Sequence, residues 1–386
     1  MTIFEDNGFI NIAPAPAAGI GMGRLVVKLD GETVRRLDPH VGFSHRGVEK
    51  RMEGTPVLQG LVYVDKLNRS APFSCTHAFT AAVEKLIGIV VPERASYIRV
   101  ILAETGRILS HLRATAGLAA ETGTDGVYPL VNRMSERIFA LLEEICGDCS
   151  VGTFIRPGGV KNDLAPQSGD ALLKWMSGEL QPFMGEIEDL LTENRIFKSR
   201  TVGVGSVDAA FATAAGFSGV NLRATGVKQD LRTTEPYEKY GNLSFDVPVR
   251  TEGDCYARYL LRVFEIYQSM RIIRQALENM PPGAVTAPDF ETLPAENLTR
   301  LSRHFALYAK GMTLPEGEVY AAVESPLGEF GVFLTADGRN VPYRCHFRSA
   351  GFPVMQALDA LTAGYDLADI RVIAASLNMI TTEIDR

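Results

Sequence analysis

Three stretches carry apolar side chains at alternating steps of three and four, and a chain patterned this way has to bury several long helix faces at once. From Val91 onward Ile98, Ile101, Leu102, Ile108, Leu109 and Leu112 keep helical spacing, with Pro92 placed where a helix begins. From Ser168 to Asn194 the stripe is Leu173, Met176, Leu180, Phe183, Ile187 and Leu190. From Cys255 to Met280 it is Tyr256, Leu260, Val263, Tyr267, Met270, Ile273 and Leu277, and Pro281-Pro282-Gly283 then stops the helix. Helices of this length with one apolar face each satisfy one another as a bundle.

Two segments break the helical period. RLVVKLDGETVRRLD (24–38) sets short β-prone runs on either side of Asp30-Gly31, a hairpin signal, and EFGVFLTADGRNVPYRCHFR (329–348) does the same around Asp337-Gly338. Helical spacing returns from Pro353 to Ala363. The expected fold is α+β and mostly α, a long-helix bundle with small N-terminal and C-terminal antiparallel sheets. At 386 residues the chain is longer than one typical core. We divide it into a β-rich region (1–60), a helical core (61–315) and a C-terminal hairpin-and-helix region packed on that core (316–386). A single flexible stretch is expected, from Pro281 to Ala295.

Apolar residues at 46% and charged residues at 22% allow a packed interior along the whole chain beyond the first dozen residues. The formal charge of −7 argues against a nucleic-acid partner, since phosphate binding relies on clustered cations. No run of 18 or more apolar residues occurs, and Met1 to Phe9 has no basic leader, so a soluble, unexported chain is expected, reaching a membrane only through partners. Five scattered cysteines fit a reducing compartment better than a disulfide framework.

Motifs with chemical potential mostly have plain readings. Cys146 and Cys149 have the spacing of half a metal site, but a structural zinc needs four ligands and no matching pair exists, which leaves a structural role, a redox-active pair or a half-site completed by another subunit. His77 and His111 lie in or beside helical segments, where a lone histidine is more often a satisfied core residue than a ligand. The glycines of Gly19 to Gly23 precede a strand instead of joining a strand to a helix, which removes the phosphate-loop mechanism. Arg156-Pro157-Gly158-Gly159-Val160 reads as a turn with glycines available for positive φ.

Taken together, several phrases resemble the D subunit of bacterial complex I, the counterpart of the mitochondrial 49 kDa subunit. They are HVGFSHRGVEK (40–50), AVEKLIGIVVPERASYIRV (82–100), FIRPGGV (154–160), ENRIFKSRTVGVG (193–205), GFSGVNLRATGVKQDLRTTEPYEKY (216–240), GDCYARYLLRV (253–263) and ESPLGE (324–329). Their order and spacing hold from about residue 10 to Arg386. The family is similar to the large subunit of nickel-iron hydrogenases, and a hydrogenase-large-subunit-like fold is therefore implied. The metal-binding cysteine pairs of those enzymes are absent: KLNRSA (66–71) and SLNM (376–379) stand in their places. A soft metal held by thiolates is excluded at those positions.

The resemblance implies a subunit of a proton-translocating NADH:quinone oxidoreductase, sited on the cytoplasmic face of a bacterial inner membrane or on the mitochondrial matrix side. Its implied task is to form the quinone-reduction cavity with a neighbouring subunit that carries the terminal iron-sulfur cluster. FMN and the clusters belong to other subunits and this chain brings no cofactor of its own; a subunit-C-like chain and the membrane arm are the other implied partners. Of the residues the family uses there, several are changed. Against the family's histidine loop this chain reads APAPAAGIG (13–21), with Ile20 at the second histidine and Gly21 beside it. Arg69 stands at the tyrosine, Glu121 at the histidine's acidic partner, Leu327 at an arginine and Asn378 at an aspartate. The cavity candidates are thus Ile20, Gly21, His40, His45, Arg69 and Glu121, with Glu121 the candidate acid. Ile20 donates nothing, and Arg69 donates hydrogen bonds but releases no proton near neutral pH. Two other readings stand beside this one: a structural paralogue without catalysis, and a subunit of a related membrane-bound oxidoreductase.

Overall fold

The computed structural model describes residues 3–6, 9–12, 23–147, 151–290, 302, 305–307 and 309–386. The mostly helical α+β architecture matches the expectation. Strands β1 (Ile3–Asp6), β2 (Phe9–Ile12), β3 (Arg24–Asp30) and β4 (Thr33–His40) form one antiparallel sheet in chain order. The β3–β4 turn falls at Asp30-Gly31 as the sequence predicts; Leu25 and Val27 alternate onto the buried face, and a bulge opposite Lys28 and Leu29 lets Val34 and Leu37, three apart, share it. The second hairpin, β8 (Gly328–Ala336) and β9 (Arg344–Arg348), gains a third strand, β7 (Gly317–Ser325).

Helices α1 (Val48–Met52), α2 (Val57–Asp65) and α3 (Ser74–Ile87) pack against the β7–β9 sheet around Phe79, Phe330, Leu334 and Phe347. A second, larger core centres on α4 (Glu93–Glu121), with α5 (Val127–Cys146) and the helix Leu367–Leu377 both packed against it. The two cores interleave residues from all three stretches of the chain: Leu37 N–H donates to the carboxylate of Asp359 at 2.7 Å, and Val34 N–H to the carbonyl of Tyr365 at 2.9 Å.

The helix expected from residue 168 to 194 is two helices, α6 (Pro166–Trp175) and α7 (Gln181–Leu191), joined through a π-helical turn at Met176–Leu180. Asn194 does not end it. Its side chain accepts the N–H groups of Ile196 and Phe197 and so caps the next helix, α8 (Arg195–Thr201). Short helices α9 (Ala209–Ala214), α10 (Gly219–Arg223) and α11 (Leu231–Thr234) lead to the long α12 (Cys255–Asn279). The Pro353 to Ala363 stretch is likewise two helices, Gly351–Gln356 and Leu358–Thr362. Of the stretch Pro281 to Ala295, residues 281–290 are described and the rest lies outside the described residues.

The reading of α12 as a helix with one apolar face needs correction. Arg258, Arg262, Glu265 and Ser269, which the sequence pattern assigns to water, are all buried, while Phe264 is exposed. Glu265 and Ser269 face a charged interior shared with α4, whereas Arg258 donates to the Ser376 hydroxyl and the carbonyls of Gly205 and Gly253, and Arg262 to the Ser376 carbonyl. Arg223 lies 2.6 Å from Glu265 and 2.7 Å from Glu324; Arg232 lies 2.6 Å from Asp230 and 3.1 Å from Glu104; His111 lies 2.8 Å from Glu265. Tyr240 and Ser269 hydroxyls both donate to Glu104 at 2.6 Å. Burial opposes ionisation of each carboxylate, yet Arg223 holds Glu265 well below its usual range, and Arg107 and Arg232 lower the value of Glu104.

A second buried group fixes the RPGGV turn between β5 (Ile155–Arg156) and β6 (Gly159–Val160). Arg99 pairs with Glu84 at 2.6 Å and Glu238 at 2.8 Å and donates to the carbonyls of Arg156 and Gly159. Gly158 and Gly159 have φ of 86° and 150°, as the turn reading expects, and a Cβ on Gly159 would stand 2.1 Å from the Val285 carbonyl oxygen. His77, 2.9 Å from Glu238, and His111 are both core histidines with carboxylate partners.

Candidate functional site

The loop 66–73 joins α2 to α3 and presents Arg69 to solvent on a backbone that is held from behind. Asn68 is buried, and its side-chain carbonyl accepts the N–H groups of Ser70 and Ala71, each at 3.0 Å. That turn satisfies two backbone donors under the loop. The Asn68 amide donates onward to Glu383 at 2.6 Å, and Glu383 also accepts from Ser349 at 2.8 Å. Burial raises the Glu383 pKa against the pull of these hydrogen bonds. Arg46 donates to the Lys66 carbonyl at 2.7 Å and Thr382 to the Leu67 carbonyl at 2.8 Å. At the far end Phe73 is buried at φ 73°, and Pro72 lies so close to α4 that a Cβ on Gly106 would stand 2.7 Å from its carbonyl oxygen. Leu327 packs with Ala71 and Ala350 behind the same loop.

In front of the loop is a cavity of about 260 Å³ lined by Lys66, Asn68, Arg69, Pro72, Arg113 and Phe139, with Asp65 at its edge. Asp65 is paired with Lys66 at 2.5 Å. Arg113 comes from α4, and its guanidinium lies 5.0 Å from the centre of the Phe139 ring on α5. Partial burial lowers the Arg113 pKa; Tyr128 opposes that shift and the cation of Arg69 adds to it. Among the described residues, neither Arg69 nor Arg113 has an ion-pair partner.

The other expected site residues fall in different places. Ile20 and Gly21 lie outside the described residues. His40, at the end of β4, is 3.4 Å from Asp38 and its side chain is 39% exposed. His45 is exposed, with its Nδ1 2.6 Å from the Asp385 carbonyl oxygen. The Asp385 carboxylate accepts the N–H groups of Gly42 and Ser44, both at 2.7 Å. The short C-terminal helix Thr381–Asp385 therefore ties the His45 loop and the Arg69 loop to one support. Glu121 is not brought to this cavity. It lies eight residues beyond Arg113 on α4, a rise of roughly 12 Å, and its buried carboxylate is 2.6 Å from the Nε of Arg371. Sequence reasoning missed Arg113 and Phe139; their only signal is that they lie on the helices adjoining the Arg69 loop, which becomes visible only once α4 and α5 are packed.

Among the described residues no group of three or more His, Cys, Asp or Glu side chains is placed to hold a metal ion. Cys146 is buried and Cys149 lies outside the described residues. Among the described residues no helix is long and apolar enough to cross a membrane.

The family model for the 49 kDa subunit of respiratory-chain NADH dehydrogenase matches residues 121–386. Curated relatives, each named as the D subunit of NADH-quinone oxidoreductase, align over nearly the whole length. The Acidiphilium cryptum protein is 41% identical over 99% of this chain and 95% of its own. The Rhodospirillum centenum protein is 45% identical over 98% of this chain and 96% of its own, and the Brucella anthropi protein 44% identical over 98% of each. The chain belongs to the 49 kDa subunit family of NADH-quinone oxidoreductase. It is accordingly a subunit of that multisubunit complex, and the buried charged interior and the Arg69 cavity are features of a complex I component. Its signature phrases now have physical content: the arginines of 216–240 and the glutamate that opens ESPLGE are the inward-facing members of the charged interior, and RPGGV is the turn clamped by Arg99.

Proposed function

We propose that this family member forms, with the neighbouring subunit carrying the terminal iron-sulfur cluster, the cavity in which quinone is reduced. The observation that carries the reading is Arg69: a guanidinium held on a rigid loop over a cavity of about 260 Å³ with no ion-pair partner among the described residues. Reduction of a quinone to a quinol takes two electrons and two protons, and negative charge builds on the ring oxygens as electrons arrive. The electrons originate from NADH and reach the quinone through FMN and clusters bound by other subunits. Arg69 supplies donors aimed at a quinone oxygen, where preorganised donors stabilise developing charge without reorganising. It does not release a proton at neutral pH, so protons enter from water or another group. In this reading the subunit-C-like chain and the membrane arm are further partners, and the complex lies on the cytoplasmic face of a bacterial inner membrane or its matrix-side equivalent.

The test is photolabelling. A photoreactive quinone analogue irradiated in the assembled complex should modify the 66–73 loop or the Arg113 and Phe139 segments, and native quinone should compete. Labelling confined to other subunits would contradict the reading. The alternative of a structural paralogue rests on one observation, that the candidate acid Glu121 is committed to Arg371. It predicts an assembled complex that takes up no label on this chain.

A further inference from the structure

Two groups of arginines in this chain contrast in how their charge is matched. Arg99, Arg223 and Arg232 are buried and each is matched by at least two carboxylates. Arg69 and Arg113 line one cavity from two different elements, and among the described residues no carboxylate pairs with either. The one acid at the cavity, Asp65, is already held by Lys66 at 2.5 Å. Like charges facing each other beside partly buried walls repel, and an anion placed between them relieves that repulsion. The walls narrow the kind of anion. Phe139, already stacked under Arg113, and Pro72 give the cavity flat apolar surfaces, and the volume of about 260 Å³ has room for one substituted ring. A planar aromatic anion, with its charge between the guanidiniums and its ring against Phe139, matches both features.

We propose that Arg69 and Arg113 act as a cation pair that makes this cavity select the anionic form of a quinone ring over the neutral oxidised form, with Arg113 as a specificity-determining residue. The proposal rests on the reading of the cavity as the quinone site. A site that holds the anion more tightly favours acceptance of electrons by the bound quinone, and it discriminates between ring ligands of equal size by charge.

The experiment uses the assembled complex and two naphthoquinones of similar size: lawsone, whose hydroxyl is ionised at neutral pH, and menadione, which carries a methyl there. Affinities are read by displacement of a labelled quinone-site inhibitor. Lawsone should bind more tightly than menadione by about tenfold or more, the size of one charge-assisted hydrogen bond. Arg113→Met should remove that preference while leaving menadione affinity within roughly twofold, and Arg113→Lys, which keeps the charge, should retain it. Equal affinity of the two ligands in the native complex, or an equal loss of both in Arg113→Met, would overturn charge selection while leaving the quinone site in place. If neither affinity responds to Arg113→Met or to Arg69→Met, the quinone binds elsewhere and both readings fail.

Discussion

The charged interior between α4 and α12 and the cavity in front of Arg69 are built from the same side chains to opposite ends. In the interior, Arg223 and Arg232 are fully buried, each contacts two or more carboxylates, and remaining lone pairs are taken by Tyr240 and Ser269. At the cavity, Arg69 is exposed, Arg113 is half-buried, and neither is matched by an acid among the described residues. A buried guanidinium needs partners that replace water, carboxylates at Arg223 and Arg232 and the Ser376 hydroxyl and backbone carbonyls at Arg258 and Arg262, whereas one at a cavity mouth keeps its charge available because water supports it. Between Arg223 and Arg232 on one side and Arg69 and Arg113 on the other, carboxylate matching goes with the part that holds shape, and its absence with the part open to a ligand.

The comparison is broken most directly by removing one arginine from each region. Arg223→Met removes the cation nearest to both Glu265 and Glu324 in a closed interior, leaving Glu265 with Arg107 at 3.8 Å, and breaking a buried pair in this way costs about 3–5 kcal/mol. The expected outcome is loss of the subunit from the complex, measured by the amount assembled in membranes. Normal assembly of Arg223→Met would mean that the interior is less dependent on saturation than its geometry implies.

The interior also makes a pH prediction. Burial pushes the His111 pKa down to about 4 even though Glu265 opposes the shift, so the folded state keeps this ring neutral. The unfolded chain, with an ordinary histidine value near 6.5, binds more protons in the interval between. Stability from this group is present above about pH 6.5 and is lost as pH falls toward about 4, by up to roughly 3 kcal/mol. Glu383 and Glu324, whose values are raised by burial, act with the opposite sign. The contribution of His111 is therefore read as a difference: the pH slope of thermal stability in the native complex minus that in His111→Gln should be positive across this interval, and identical slopes would contradict it.

A third perturbation acts on the support of the cavity loop. Asn68→Ala removes the acceptor of two loop N–H groups and a donor to Glu383, a loss of about 1–3 kcal/mol. Because the loop carries Arg69, quinone affinity should weaken together with stability. A stability loss with unchanged quinone KM would separate the loop's rigidity from its function.

How much of this was legible in the sequence follows the same division. Apolar spacing places α4 and α12, and Asp-Gly turns place both hairpins, because these signals are local. The inward polar side chains of α12 were not legible, since Arg258, Arg262 and Glu265 are read as a wet face until the cations around Glu265 and the carbonyls and Ser376 hydroxyl around the two arginines are packed against them. The break at Met176 was hidden for a different reason: the chain stays helical through a single i→i+5 turn, and its apolar step from Met176 to Leu180 is four, a step an unbroken α-helix also makes. Arg69 was identified through the family resemblance. Its cavity was not, because Arg113 and Phe139 meet it only through packing of three separate elements, and the supporting Glu383 lies at a sequence separation of 315 from Asn68.

The most direct test of the account is quinone-dependent NADH oxidation by membranes carrying Arg69→Met at matched assembly. An exposed arginine without partners contributes within about 0.5 kcal/mol to stability, so assembly should be unchanged. Inhibitor-sensitive turnover should fall by roughly tenfold, the effect of losing one charge-assisted donor to the reacting ring. Unchanged turnover in a fully assembled complex would show that the cavity in front of Arg69 is not where quinone is reduced.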